Sequence, residues 1–430
     1  MTIRKNIIVT FLATTMAFSA ILSCTPKEGS LIKRPLNIIV MVSEGHSREA
    51  IGAYGDGDSF ISTTGLDSLA SEGNLFLSYR GTGWESLDMI EDSLPAKLSE
   101  KGYEMAFFGT WDNEGSPSGY GKSFILQGEG SYYNPMLIDN GMLLCREGYV
   151  SSILTDEAVD WIGGLGGGNP FYMVLHHFAP SGTWMPDTRD LGMYGDVDLP
   201  PLEKSDSLVV DFASRLNPIY HLKMADRGGK IHTPSESRLE TMGRDLYRRD
   251  LRPYDPIVPG RMTPGQQKDW DAHYDPIISA FRKSNPKGNS LIEWKFSRFE
   301  EDYLETANSL DRSVSQLTSF LKEKGLWDST VLVYTSSGSL GRDDSAPLPL
   351  IIHMPGKGPD DGRFIYSRGE IEKDVTDLDL VRSIMEFSCL TPSEEAEGES
   401  FLPLLIRRNP DKEGKTDLWS RVKGLFGLNY

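Results

Sequence analysis

LNIIVMVSEGHSREAIGAYG, residues 36–55, is the stretch on which the reading of this chain turns. Its first seven residues, 36–42, are an almost unbroken apolar run rich in Ile and Val. That pattern marks a strand buried on both faces rather than on one. The run breaks abruptly into Ser43, Glu44, Gly45, His46 and Ser47. An open α/β sheet binds ligands just beyond the carboxyl ends of its strands, so polar residues at such a break are the first candidates for chemistry.

Working outward, three more apolar runs end in the same way. Residues 103–108 run into Gly109, Thr110, Trp111 and Asp112; residues 171–175 run into HHFAPSGTW; residues 330–335 run into SSGSLG. Helical spacing separates them. Leu66, Leu69 and Ala70 share a face within residues 62–73, with Gly73 as a stop, and residues 94–101 and 153–162 follow suit. A glycine-rich connector fills residues 163–168. Residues 290–324 read as one long helix or two, with Trp294, Phe299, Tyr303, Leu304, Leu310, Val314, Leu317 and Leu321 on an intermittent apolar face. Residues 347–354 and 375–390 supply a last strand and helix. The alternation predicts the α/β class: a doubly wound, mostly parallel sheet flanked by helices, with the four strand ends side by side along one edge. Residues 186–262, rich in Pro, Gly and charge, read as an excursion over the surface.

The formal charge is 44 − 62 = −18, with 39% apolar content over 430 residues. So acidic a chain, without a basic stripe, excludes nucleic acid as a partner. Residues 1–23 read as an export signal: Arg4 and Lys5, an apolar core over 7–21, then Ser23 before Cys24. The run Ala-Ile-Leu-Ser-Cys is similar to a bacterial lipoprotein box, which predicts lipidation at Cys24, a tether over 24–35, and an exported chain held to a membrane on its periplasmic or cell-surface side. A plain secretory signal and an N-terminal anchor helix are the alternatives. Cys145 and Cys389 are too few for a disulfide scaffold. Cys389 reads as a buried helix thiol.

Several segments, in order, resemble the sulfatase family of the alkaline-phosphatase-like superfamily, nearest its N-acetylglucosamine-6-sulfatase-like members. His46, Ser47 and residues 50–55 fit the family's Asp-Asp-His-Ser and A-x-G-A-Y-G pattern. TTGLDSLASEG is similar to T-P-N-L-D-x-L-A-x-E-G, with Thr64 and Gly65 in place of Pro-Asn; HHFAPSGTW is similar to H-x-A-P-H-x-x-W. MTPGQQKDWDAHYDPI, from Met262, and ESFLPLL complete the match, which covers roughly residues 36–405. The resemblance implies a sulfatase-like domain over 36–346 that closes over 347–410. Where family members continue into a small C-terminal sheet, this chain runs into KTDLWSRVKGLFGLNY, so the subdomain is expected to be truncated. The 411–430 tail has Leu418, Trp419, Val422, Leu425 and Phe426 on one helical stripe. It is expected to dock on its own domain, with a membrane or a partner as the alternative.

The resemblance also implies a chemistry: sulfate-ester hydrolysis by a formylglycine made from Cys or Ser in C/S-x-P-x-R, beside a Ca2+ ion. Residues 77–93, where that signature belongs, hold no Cys, Pro or downstream Arg in register. The first pair of metal-binding aspartates falls on Glu44 and Gly45, the second pair on Ser337 and Gly338. Glu44 is then the one carboxylate left as a metal-ligand candidate, and its plain alternative is a solvated strand-end side chain. The clamp residues fall on Thr110, Asp112 and Ser181, while His46 and His177 survive, either as structural histidines or in a small polar cluster with Asp112. Calcium takes roughly six to eight oxygens. These substitutions predict a degenerate pocket, lined by Glu44, His46, Thr110, Asp112, His177, Ser181 and Ser337, with no intact catalytic set, metal or cofactor. The function expected is a binding or accessory role in sulfated-glycan utilisation, with a sulfated glycan or a protein of such a system as partner. A divergent hydrolase of sulfate or phosphate esters is the rival.

Overall fold

The 36–42 run becomes strand β1 (Asn37–Ser43), buried from Ile38 onward. Its side chains divide by parity, as a pleated strand requires. Ile39 and Met41 enter one apolar cluster, while Ile38, Val40 and Val42 enter another on the opposite face. Fully burying one such side chain is worth about 1.5–3 kcal/mol. A strand apolar on both faces therefore has its place at the centre of a covered sheet.

The computed structural model describes residues 32, 34–55, 61–81, 94–111, 113, 115–128, 130–181, 184–195, 262–286, 289–338, 346–356, 364–391 and 397–410. Cys24, residues 77–93 beyond Gly81, Asp112, residues 196–261 of the excursion and the 411–430 tail lie outside the described residues, together with the expectations placed on them.

In chain order, β1 is followed by α1 (Thr64–Glu72), β2 (Asn74–Arg80), α2 (Leu94–Glu100) and β3 (Glu104–Gly109). Next come β4 (Lys122–Leu126), β5 (Met136–Asp139), β6 (Met142–Cys145), α3 (Val150–Gly164) and β7 (Phe171–His177). Two long helices follow, α4 (Pro264–Ser284) and α5 (Asn289–Glu323), then β8 (Thr330–Ser336) and β9 (Leu348–His353). The chain closes with β10 (Phe364–Tyr366), β11 (Gly369–Ile371), β12 (Val375–Thr376), α6 (Asp377–Phe387) and β13 (Ile406–Arg408).

The main sheet has the order β11-β2-β9-β8-β1-β7-β3-β4-β5-β6, with β12 also beside β2. Its centre, β8-β1-β7-β3-β4, is parallel, while β9, β5 and β6 pair antiparallel to their neighbours. Apolar residues of α1, α3, α4 and α5 cover one face, and those of α2 and α6 cover the other. This is the doubly wound α/β arrangement expected from the sequence.

The register fixes the site. Ser43 lies opposite His177 on one side and Ser336 on the other, and Gly109 lies opposite His176. The four strand ends thus stop at one level of the sheet. One long helix, not two, spans the 290–324 region. Its Asp311 carboxylate accepts the amides of Gly65, at 3.0 Å, and Leu66, at 2.8 Å, and so caps the positive end of α1. A Cβ on Gly65 would lie 2.5 Å from the Asp311 carbonyl oxygen, which explains a glycine there.

Three features departed from expectation. The MTPGQQKDWDAHYDPI segment opens helix α4, with Thr263 and Gln266 forming a capping box. Strands β4 to β6 and the separate β10–β13 pair had no apolar run long enough to announce them. Cys389 is not a buried helix thiol: it is half-buried just past α6, in the left-handed region at φ 56°, with its Sγ toward the Ile32 carbonyl.

Gly109, at φ 111°, ends β3 so close to β7 that a Cβ there would fall 1.7 Å from the His176 carbonyl oxygen. Gly115 also has a positive φ, 84°, but a Cβ there meets nothing within 4 Å. Gly109→Ala should therefore cost several-fold more unfolding free energy than Gly115→Ala, which should lose about 1 kcal/mol. Equal losses in urea melts would show that the close approach does not hold.

Candidate functional site

Along the seam between β1 and β8, the residue that starts the polar break is tied to its neighbour strand. Ser43 Oγ donates to the Thr335 carbonyl at 3.2 Å, and Ser336 Oγ donates to the Ser43 carbonyl at 3.0 Å. Ser337 donates its amide to that same carbonyl at 2.8 Å. His46, wholly buried, receives its position from both sides. Its amide donates to Ser336 Oγ at 3.0 Å, and its Nδ1 lies 2.6 Å from the Tyr334 hydroxyl. Tyr303 of α5 closes the turn by accepting the Ser47 amide at 2.9 Å and donating to the Gly45 carbonyl at 3.0 Å.

On the other seam, the Glu44 amide donates to the Ala179 carbonyl at 3.2 Å, which holds the side chain over the end of β7. There its Oε1 lies 3.9 Å from His176 Nε2. The Thr110 amide donates to the His176 carbonyl at 2.9 Å, joining the end of β3 to the same group. Thr110 Oγ1, Trp111 Nε1, His176 Nε2 and both ring nitrogens of His177 are buried with no hydrogen-bond partner among the described residues. Ser181 is placed at the rim, its amide donating to the Phe178 carbonyl and its carbonyl accepting the Tyr132 hydroxyl.

Of the seven residues expected to line this pocket, six are described, and all lie at the strand ends; Asp112 lies outside the described residues. Two expectations change. Glu44 is not a solvated carboxylate: only 20% of its side chain is exposed, and it faces an imidazole. His46 makes its described ring contact with Tyr334 rather than with His177. Sequence reasoning missed His176, Tyr334, Tyr303 and Tyr132. A strand buried on both faces gives no periodic cue to which of two adjacent histidines matters. Tyr334 did carry a signal, since a hydroxyl inside an apolar strand needs a partner.

Burial dominates the electrostatics. It holds His46 and His176 down to about 4 and His177 down to about 3, against an ordinary 6.5; neighbouring His176 lowers His177 further. At neutral pH all three rings are uncharged, each with one donor and one acceptor nitrogen. Among the described residues, the site is thus a set of neutral hydrogen-bonding groups around the Glu44 carboxylate. Among the described residues, no three His, Cys, Asp or Glu side chains are grouped so as to hold a metal ion.

Residues 36–388 match the family model described as Sulfatase. The chain is 27% identical over 447 residues to an N-acetylglucosamine-6-O-sulfatase of Bacteroides thetaiotaomicron, spanning 93% of this chain and 75% of that protein. Its fold is similar to a solved structure of a protein in complex with its substrate D-glucosamine-2-N,6-O-disulfate, with TM-score 0.68 and 24% identity, covering 86% of this chain and 80% of the other. It is similar, too, to a phosphonate monoester hydrolase of Agrobacterium radiobacter, with TM-score 0.53 and 15% identity, covering 86% and 77%.

The depressed histidines have a consequence for stability. The unfolded chain takes up protons below 6.5 that the folded chain refuses, so their contribution is present above pH 6.5 and lost as pH falls toward 4. Each should steepen the loss by about 1.4 kcal/mol per pH unit in that window. His177→Gln should flatten the dependence of unfolding free energy on pH between 6.5 and 4 by about one proton. An unchanged slope would show that His177 is not buried and neutral.

Proposed function

The chain belongs to the sulfatase family, and from that premise we propose that it is a catalytically degenerate sulfatase with a binding or accessory role in sulfated-glycan utilisation. It is carried, on this proposal, as an exported lipoprotein anchored through Cys24. The observation that supports the reading best is the donor set at the strand ends. Where family chemistry calls for converging carboxylates, Glu44 faces the imidazole of His176, and the opposite strand end offers Ser337 and Gly338.

Calcium does not fit these residues. It requires six to eight oxygens, mostly anionic, to repay its dehydration. Among the described residues, one carboxylate stands with neutral imidazoles, a threonine and serine hydroxyls, the serines already bonded to backbone. Without the ion, nothing among the described residues neutralises charge developing on sulfate oxygens; that loss is commonly worth several kcal/mol of barrier, and about 1.4 kcal/mol is tenfold in rate. The formylglycine signature is missing from the sequence as well. What remains suits recognition: Thr110 Oγ1, Trp111 Nε1 and the His177 ring nitrogens, buried without partners among the described residues, at the level where this architecture takes its ligands.

Both halves are testable on one preparation. The full chain should fractionate with membranes, and Cys24→Ser should release it. The purified chain should give no turnover of aryl sulfates, 6-sulfated N-acetylglucosamine or phosphate monoesters above buffer. Reproducible hydrolysis that disappears on Glu44→Gln would instead establish the rival, a remodelled ester hydrolase.

A further inference from the structure

Residues 184–195, which follow β7, form a strap along α5 that is fastened step by step. Tyr149 donates to the Met185 carbonyl at 2.9 Å and Tyr133 to the Pro186 carbonyl. Asp187 and Asp190 pair with Arg312, and Asn308 donates to Asp190 at 2.8 Å. The last fastening differs in kind. The Gly192 amide donates to Glu305 Oε1 at 2.8 Å, and the Tyr194 backbone is also a hydrogen-bond partner of this carboxyl. Glu305 is fully buried, and its Oε2 has no hydrogen-bond partner among the described residues.

A charged carboxylate in that position needs a countercharge, and the cations nearby are engaged. On α5 itself, Arg298 pairs with Glu301 and, at 3.0 Å, with Asp302. On the strap, Arg189 pairs with Asp187, which Arg312 also holds together with Asp190. Asp311, near Tyr194, is occupied in capping α1. From α4, His273 packs on the same turn: a Cβ on Gly192 would lie 3.4 Å from its ring. Burial, with Arg298 adding to it, holds that imidazole down to about 4, so it brings no charge at neutral pH. Its neighbour Tyr274 donates to Asp302 at 2.8 Å. Among the described residues, Asp187, Asp190, Glu301 and Asp302 thus already outnumber Arg189, Arg298 and Arg312 before Glu305 is counted. Burial first, and then Asp302, push the Glu305 carboxyl from an ordinary 4.5 up to about 8.

We propose that Glu305 is a proton-dependent latch on this strap: protonated, it holds the Gly192 turn against α5, and on losing its proton it releases the turn to solvent. Met193, 53% exposed, puts the turn at the surface, where it can open without disturbing the sheet. The opened carboxyl titrates near 4.5 and the closed one near 8, so closing the latch takes up a proton between those values. The latch is at full strength below pH 4.5 and weakens as pH rises through 8. It acts independently of what the pocket binds, because neither Glu305 nor Gly192 lies at the strand ends.

Hydrogen exchange at single amides of the purified chain tests the latch. Protection of the Gly192 amide, corrected for intrinsic exchange, should fall about ten-fold between pH 6.5 and 8 and level off above about pH 9. At pH 8 it should be at least about a hundred-fold less protected than the Val40 amide in the central ladder, the mark of local opening rather than global unfolding. Glu305→Gln, which keeps the acceptor oxygen and cannot ionise, should leave Gly192 protected and remove its pH dependence. In the wild-type chain, independently of any variant, the Glu305 carboxyl followed by carbon NMR should titrate near 8. A midpoint near 4.5, a Gly192 amide indifferent to pH, or protection equal to that of Val40 would each overturn the latch. So would an undiminished slope in folded Glu305→Gln.

Discussion

Everything at the site depends on the parallel ladder that joins β1 to β7 and to β8. Parallel pairing in register forces neighbouring strands to stop at a common level, and here it sets Ser43, His177 and Ser336 abreast, with Gly109 against His176 one strand further on. Such a ladder is stable only when both faces are covered. The two apolar clusters on either side of the sheet meet that requirement through α1, α3, α4 and α5 on one face and α2 and α6 on the other. Side chains beyond the last rung then emerge from a rigid, dry platform, and their polar atoms must be satisfied by one another or by something bound.

That same dryness decides the electrostatics. In water an imidazole titrates near neutrality; under this sheet's edge, His46, His176 and His177 are held uncharged by desolvation. A neutral imidazole can donate one hydrogen bond but brings no charge to balance a buried anion. Beside them, Glu44 Oε1 lies 3.9 Å from His176 Nε2.

Much of this was legible in the chain, for physical reasons that differ by element. Continuous β-branched runs have no other stable home than a central strand, so β1, β7 and β8 and their polar endings could be read directly. The short strands β5 and β6 at the sheet edge are only four residues each and partly exposed, and they carried no such signal. Helix α4 did have a readable start in Thr263-Pro264-Gly265-Gln266, a capping box with proline at the first helical position, overshadowed by the segment's likeness to a motif. Glu44 was legible as a residue at the site but not in its surroundings. Sequence does not reveal that the histidine opposite it is His176 rather than His177, because both lie in a strand buried throughout.

On the proposed reading these strand ends hold no calcium, and metal stoichiometry tests that without recourse to any substrate. Purified chain equilibrated with millimolar calcium, then freed of unbound ion and analysed by mass spectrometry for metal content, should retain far less than one equivalent. Glu44→Gln should not alter that figure. One calcium per chain, lost on Glu44→Gln and retained on changing exposed acidic residues elsewhere, would contradict the account at its centre.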